Sequence, residues 1–293
     1  MRISDKLAAT QTLSFEIFPP KGDLPLDSAL QVAKEISECE PDWISVTYSA
    51  GGSGSSGNTV PVSAAIEHDL GTTALAHLTC LRHTRAEVDG YVASLEAEGI
   101  GNVLALRGDR RPGDQKRDFA HASELISYLR SGHPDLCIGA ACYPEGHIES
   151  TSERESFESL YKKQEAGADF LVTQLFFDND DFYRFREKCL RHRVKLPIVA
   201  GIMPFTSQKQ LQRMCFTCGA SIPSKVVKRL VRVGDNPRDQ ALAGMEYACE
   251  QLEDLAANGV DGLHVYSMNH PEIAQSARRS LMRCGYIPPK LKI

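Results

Sequence analysis

Along this chain, short apolar runs alternate with longer stretches of helical periodicity. Eight runs of β-branched and apolar residues, each closed by a small or polar residue, fall at 13–18, 43–49, 74–80, 102–108, 137–143, 170–177, 197–203 and 262–268. Continuous apolar runs of this length predict strands buried on both faces, as in a parallel sheet. The intervening stretches predict helices. Val88, Tyr91, Val92 and Leu95 recur at helical spacing between a capping pair, Thr84 and Glu87, and a stop at Gly99. A second such stretch opens on Ser152 and Glu155, carries Phe157, Leu160 and Tyr161 on one face, and stops at Gly167. A strand–helix pair about every 30 residues, with no linker between pairs, predicts a TIM (β/α)8 barrel rather than a doubly wound sheet, with residues 1–293 as one domain. The interval from Met203 to Gly262 is about twice the usual length and predicts extra helices between strands seven and eight. No GxGxxG follows a strand, so no Rossmann dinucleotide site is signalled.

Composition narrows the partners. Of the 293 residues, 42% are hydrophobic and 24% charged, enough apolar material for a full core. A formal charge of -5 leaves no basic stripe for a phosphate backbone, so nucleic acid is not an expected partner. Neither a secretory leader nor a membrane-length apolar run is seen, which predicts a cytoplasmic protein without membrane contact. Nine scattered cysteines read as reduced thiols, and Cys215 and Cys218 have CxxC spacing without a second ligand pair.

In a barrel of this kind the chemistry collects at the C-terminal ends of the strands. Those ends carry Glu16, Thr47, Tyr48, His77, Arg107, Asp109, Tyr143, Glu145, His147, Gln174 and Tyr266. Glu16 stands among apolar residues ahead of two prolines, where desolvation favours the protonated form. It reads either as a general acid or as a carboxylate paired with a barrel arginine or lysine. Arg107 and Asp109, one on each side of Gly108, read as a structural ion pair or as functional charges on one rim. Gln174 must be hydrogen-bonded, either to a heterocycle or to a neighbouring strand, and His77 reads equally as a satisfied core histidine. His147 and Glu149 are only two ligands, so no metal is expected. The 52–57 loop lacks the strand–turn–helix setting of a nucleophile elbow.

Taken in order, SFEIFPP, VTYSAGG, AHLTC, ALRGD, YPEGH, AGADFLVTQLFFD, GIMPFTSQKQL and DGLHVYSMN resemble the methylenetetrahydrofolate reductases over nearly the whole chain. The resemblance implies FAD across the barrel mouth, with FMN the less favoured choice, and reduction of 5,10-methylenetetrahydrofolate to 5-methyltetrahydrofolate. Glu16 then matches the acid that protonates the folate nitrogen, Asp109 the carboxylate beside flavin and pterin, Gln174 the amide that reads the pterin, and Tyr266 a further substrate contact. Thr47, Tyr48, Ala50, His77, Arg107, Gly108, Asp109, Tyr143 and His147 match flavin-binding positions. Lys162 and Lys163 match a basic pair near the dinucleotide, and Phe119 and Ala120 match residues near the adenosine half. The chain departs from the family at Ser156 and Ser159, at Gly54 to Asn58, at His270, and at Gln208, where relatives carry a phenylalanine beside the nicotinamide. The expected partners are therefore a folate and either NAD(P)H or an electron-relaying subunit, with the chain forming a homo-oligomer and lacking the regulatory domain of longer relatives. The alternative is a pterin-binding subunit of a methyl-transfer complex that performs no redox step.

Overall fold

The computed structural model describes residues 1–20, 25–48, 58–110 and 118–286. The elements run in the order α1 (Ile3–Ala9), β1 (Thr12–Ile17), α2 (Asp27–Ser37), β2 (Trp43–Val46), α3 (Thr59–His68), β3 (Thr73–Thr79), α4 (Arg85–Ala97), β4 (Asn102–Leu106), α5 (Ala122–Gly132) and β5 (Cys137–Cys142). They continue with α6 (Glu153–Glu165), β6 (Phe170–Thr173), α7 (Asn179–Arg191), β7 (Ile198–Ile202), α8 (Gln208–Cys218), α9 (Ser224–Val233), α10 (Pro237–Ala257), β8 (Gly262–Tyr266) and α11 (Pro271–Arg283). The eight strands form one closed parallel barrel in sequence order, sealed where β1 pairs with β8. All eight predicted strands are present, and α8, α9 and α10 fill the long interval before β8.

Side-chain alternation along each strand sorts the barrel into two cores. Leu13, Phe15, Ile44, Val46, Ala76, Leu78, Val103 and Ala105 belong to the large cluster between strands and helices. Trp43, Leu75, Leu104, Cys137, Phe170, Val172 and Val199 form the separate interior cluster, which Ile3 and Leu7 of α1 join. The inward positions nearer the strand C-termini are polar, among them Glu16, His77, His264 and Gln174. This break from apolar to polar marks where packing gives way to a site.

Strand starts are held by a recurring device. Asp42 accepts from the Leu13 N–H at 2.7 Å, Asp169 from the Ile138 N–H at 2.7 Å, and Asp261 from the Ile198 N–H at 2.8 Å. Each aspartate sits just before its own strand and satisfies a first-rung donor of the preceding one, a group otherwise left unpaired at the barrel's lower edge. The Thr84–Glu87 capping box forms as predicted, and Val88, Tyr91, Val92 and Leu95 are buried. On α6 only half of the predicted box forms. Ser152 Oγ accepts from the Glu155 N–H, while the Glu155 carboxylate turns to the N–H and hydroxyl of Thr151 at 2.8 and 2.7 Å.

Several strands stop earlier than their apolar runs. β4 ends at Leu106, so Arg107, Gly108 and Asp109 lie in a loop, and Gly108 has φ +86°. β6 ends at Thr173 because Gln174 Oε1 takes the following N–H, that of Leu175, at 2.9 Å, closing a local ring where the ladder would continue. Phe176 and Phe177 beyond it are fully buried against other elements, which is why the run stays apolar past the strand.

Candidate active site

The strand ends open into a cavity of about 1300 Å3. Its floor is Glu16, whose side chain is 12% exposed, with His77 Nε2 at 3.6 Å and His264 Nε2 at 3.8 Å from Oε2. Among the described residues no arginine or lysine pairs with Glu16, so the alternative of a barrel ion pair with such a cation is not what the floor shows; two buried imidazoles flank the carboxyl instead. Burial pushes the His77 pKa down to about 4 against the opposing pull of Glu16, leaving a neutral ring at neutral pH. His264 Nδ1 lies 2.8 Å from Ser14 Oγ, a hydroxyl that also donates to the Leu263 carbonyl at 3.1 Å. His264 was not singled out from the sequence. It sits two residues before Tyr266, on the same face of β8, and that spacing is the signal.

Tyr266 lies across the cavity and donates its hydroxyl proton to the Thr173 carbonyl at 2.6 Å. This approach requires Gly201, where a Cβ would stand 2.5 Å from that carbonyl and 2.8 Å from the Tyr266 Oη. Gln174, beside it on the wall, uses its Oε1 on the Leu175 N–H rather than on a neighbouring strand.

At the opposite rim the charges pair differently from their spacing in sequence. Arg107 forms a fork with Glu149, Nη1 and Nη2 at 2.7 and 2.8 Å, while Asp109 is exposed and offers its carbonyl to Arg82. His147 Nδ1 accepts the Glu149 N–H at 3.0 Å, and its ring meets Tyr143 edge-on at 4.6 Å. Burial, then Arg107, lowers the His147 pKa, and burial raises that of Tyr143 to about 12. Lys163 donates to the Ala141 carbonyl at 2.7 Å and lies 5.7 Å from the Tyr143 ring centre. Desolvation holds its pKa down to about 8. Lys162, next to it, is exposed but still lines the cavity.

Thr47 and Tyr48 complete the wall near β2. Tyr48 Oη is 2.8 Å from His83 Nε2. Thr47 Oγ1 and His77 Nε2 are buried at the cavity wall and find no hydrogen-bond partner among the described residues, His77 Nε2 standing 3.6 Å from Glu16 Oε2. Two expected contacts do not line the cavity. Phe119 is buried in the helix–strand core against Tyr128, and Ala120 gives its N–H to Glu124; the adjacent His121, Ala122 and Ser123 line the cavity in their place. Ala50 lies outside the described residues. Leu175, Met203 and Met268, just past the ends of β6, β7 and β8, together with Met214 and Cys218 of α8, add a further stretch of wall that was not anticipated. Its signal was faint, since Met214 and Cys218 are merely one helical turn apart. Cys215 and Cys218 are free thiols, and no group of three potential metal ligands comes together among the described residues.

A closed parallel barrel with a polar cavity at the C-terminal ends of its strands defines the class, a (β/α)8 protein that receives small molecules at its mouth. Within that class, the family described as methylenetetrahydrofolate reductase matches residues 2–281, and the chain belongs to it. It is 30% identical to the 5,10-methylenetetrahydrofolate reductase of Escherichia coli, over 95% of this chain and 94% of that one. It is 33% identical to methylenetetrahydrofolate reductase (NADH) 1 of Arabidopsis thaliana, over 98% of this chain but 51% of the plant protein; the chain thus spans about half the length of such relatives. A solved structure of an uncharacterized Clostridium thermocellum protein, described as binding two copies of 5-methyl-5,6,7,8-tetrahydrofolic acid, superposes over 97% of this chain and 99% of its own with a TM-score of 0.63 at 16% identity. That likeness is one of fold.

Proposed function

We propose that this chain reduces 5,10-methylenetetrahydrofolate to 5-methyltetrahydrofolate with the help of a bound flavin. The observation that carries the reading is the setting of Glu16: one carboxyl at the cavity floor, nearly enclosed, flanked by two imidazoles and, among the described residues, paired with no arginine or lysine. Placed under a folate, Glu16 protonates the nitrogen that departs as the five-membered ring opens, which makes the one-carbon unit electrophilic. Gln174 offers the free end of its amide to the pterin edge, and Asp109 supplies negative charge beside the cation that forms.

The residues fit a flavin. The cavity exceeds the upper range of about 1,000 Å3 for a single drug-sized ligand, leaving room for a cofactor and a substrate together. Thr47 Oγ1 and His77 Nε2 supply unpaired polar atoms for a heterocycle, and Arg107 with Lys163 supplies cations for a phosphate-bearing chain. A flavin held by these residues would supply hydride-transfer chemistry, taking electrons from a donor for delivery to the one-carbon unit. The continuation of the cavity wall past Lys163 to Lys162 supports FAD over FMN. The donor is NAD(P)H or a partner subunit. Gln208 is exposed, donates its N–H to Gln240, and does not line the cavity, so the donor's ring would meet the thioether wall of Met203, Met214 and Met268.

The test is the visible spectrum of the purified protein, followed anaerobically. Flavin bands bleached by NADH or NADPH and restored by methylenetetrahydrofolate establish a self-sufficient reductase. Exchange with the folate pair alone points to a partner donor, and absence of flavin bands overturns the reading.

A further inference from the structure

The turn after β8 carries two consecutive non-glycine residues in left-handed backbone, Met268 with φ 54° and Asn269 with φ 60°. The His270 N–H donates to the Ser267 carbonyl at 2.9 Å across them. A turn with positive φ at both central positions ordinarily takes glycine, asparagine or aspartate there, so Met268 is held against its preference. Side-chain bonds from its neighbours hold it there. Asn269 Oδ1 accepts the Phe18 N–H at 2.7 Å, and Asn269 Nδ2 donates to the Phe18 carbonyl at 2.9 Å. One side-chain amide thus adds a rung to the β1–β8 seam beyond its last paired residues, Glu16 and Tyr266. Ser267 Oγ adds a bond to the Glu16 carbonyl at 2.5 Å. The same strained turn brings Met268 to the cavity wall.

We propose that Asn269 is a positioning residue: by clamping Phe18 it fixes the end of the strand that bears Glu16, and by its left-handed backbone it sets Met268 against the folate. The proposal rests on the folate-reductase reading. It places the effect of the clamp in the step that uses Glu16, leaving the Arg107 and Lys163 end of the cavity, on the far strands β4 to β6, undisturbed.

The variants are Asn269→Gly, which keeps the backbone free to be left-handed and removes both bonds, and Asn269→Asp, which keeps the acceptor and removes the donor. Hydrogen exchange of the 13–20 segment, measured without any ligand, is expected to quicken in both. Flavin content and flavin reduction by whichever donor serves the parent are expected to stay within about twofold, while reoxidation by methylenetetrahydrofolate slows by at least about tenfold in Asn269→Gly and less in Asn269→Asp. Unchanged reoxidation, or an equal fall in both half-reactions, overturns the positioning role while the parent's own folate-driven reoxidation still upholds the reductase. A parent whose flavin does not respond to folate overturns the reductase reading and the proposal with it.

Discussion

At the level of single residues, the site depends on what burial does to ionisable groups. Glu16→Gln removes the proposed proton donor while keeping size and polarity. Flavin content and its reduction should persist, and methylenetetrahydrofolate turnover should fall by about 10²-fold or more, as measured by stopped-flow absorbance. Lys163 gives a pH signature. Its pKa is held down to about 8 by desolvation, so the charge proposed to hold a cofactor phosphate is lost as pH rises through that value. Flavin affinity, read from the fluorescence of released cofactor, should weaken from pH 7 to 9. In Lys163→Arg, whose charge persists, that dependence should flatten. His77 acts on stability in the opposite direction, its effect rising with pH. A pKa lowered to about 4 in the folded state means that the unfolded chain binds more protons between about pH 4 and 6.5, so stability rises with pH across that window. Protonating His77 in the folded state costs on the order of 3 kcal/mol, a penalty fully felt below pH 4, and urea titrations of the parent and His77→Gln at pH 7 and 4.5 should diverge accordingly. None of these environments is written in spacing. Arg107 and Asp109 are two residues apart, yet the guanidinium is drawn to Glu149, because a loop after Leu106 lets Arg107 turn toward a carboxylate arriving from the next strand.

At the level of elements, periodicity located what it could reach. The apolar runs marked all eight strands, because in a closed parallel barrel both faces of each strand are covered and nearly every position must be apolar. Their ends were less legible. Phe176 and Phe177 are as apolar as the strand before them but serve the packing of other elements, and only the Gln174 side-chain bond tells where β6 stops. The aspartates that open β2, β6 and β8 belong to this level too. Removing Asp42 would orphan the buried Leu13 N–H, and Asp42→Ala should cost about 1–3 kcal/mol in urea unfolding while leaving the cavity's ligand affinity intact. Thr84→Ala, which breaks the capping box of α4, should cost about 1 kcal/mol by the same measurement.

For the whole molecule, closure is the decisive event. Glu16 and Tyr266 sit opposite each other on the β1–β8 seam, so the floor of the cavity exists only once the first and last strands have met. Gly262 permits that meeting, since a Cβ there would lie 2.3 Å from Thr12 Oγ1. Gly262→Val should lower the melting temperature and weaken folate response together, a coupling that calorimetry and the anaerobic titration can test on one preparation. By itself the sequence determined the barrel, the extra helices before the last strand, the family and most of the rim, because burial on both strand faces and short ordered motifs are local properties. Tertiary structure alone decided that Arg107 answers Glu149, that His264 stands beside Glu16, that Phe119 turns into the core, and that three methionines wall the cavity. Those outcomes depend on which strand ends become neighbours when the barrel closes and on how far each side chain can then reach, and neither is set by distance along the chain.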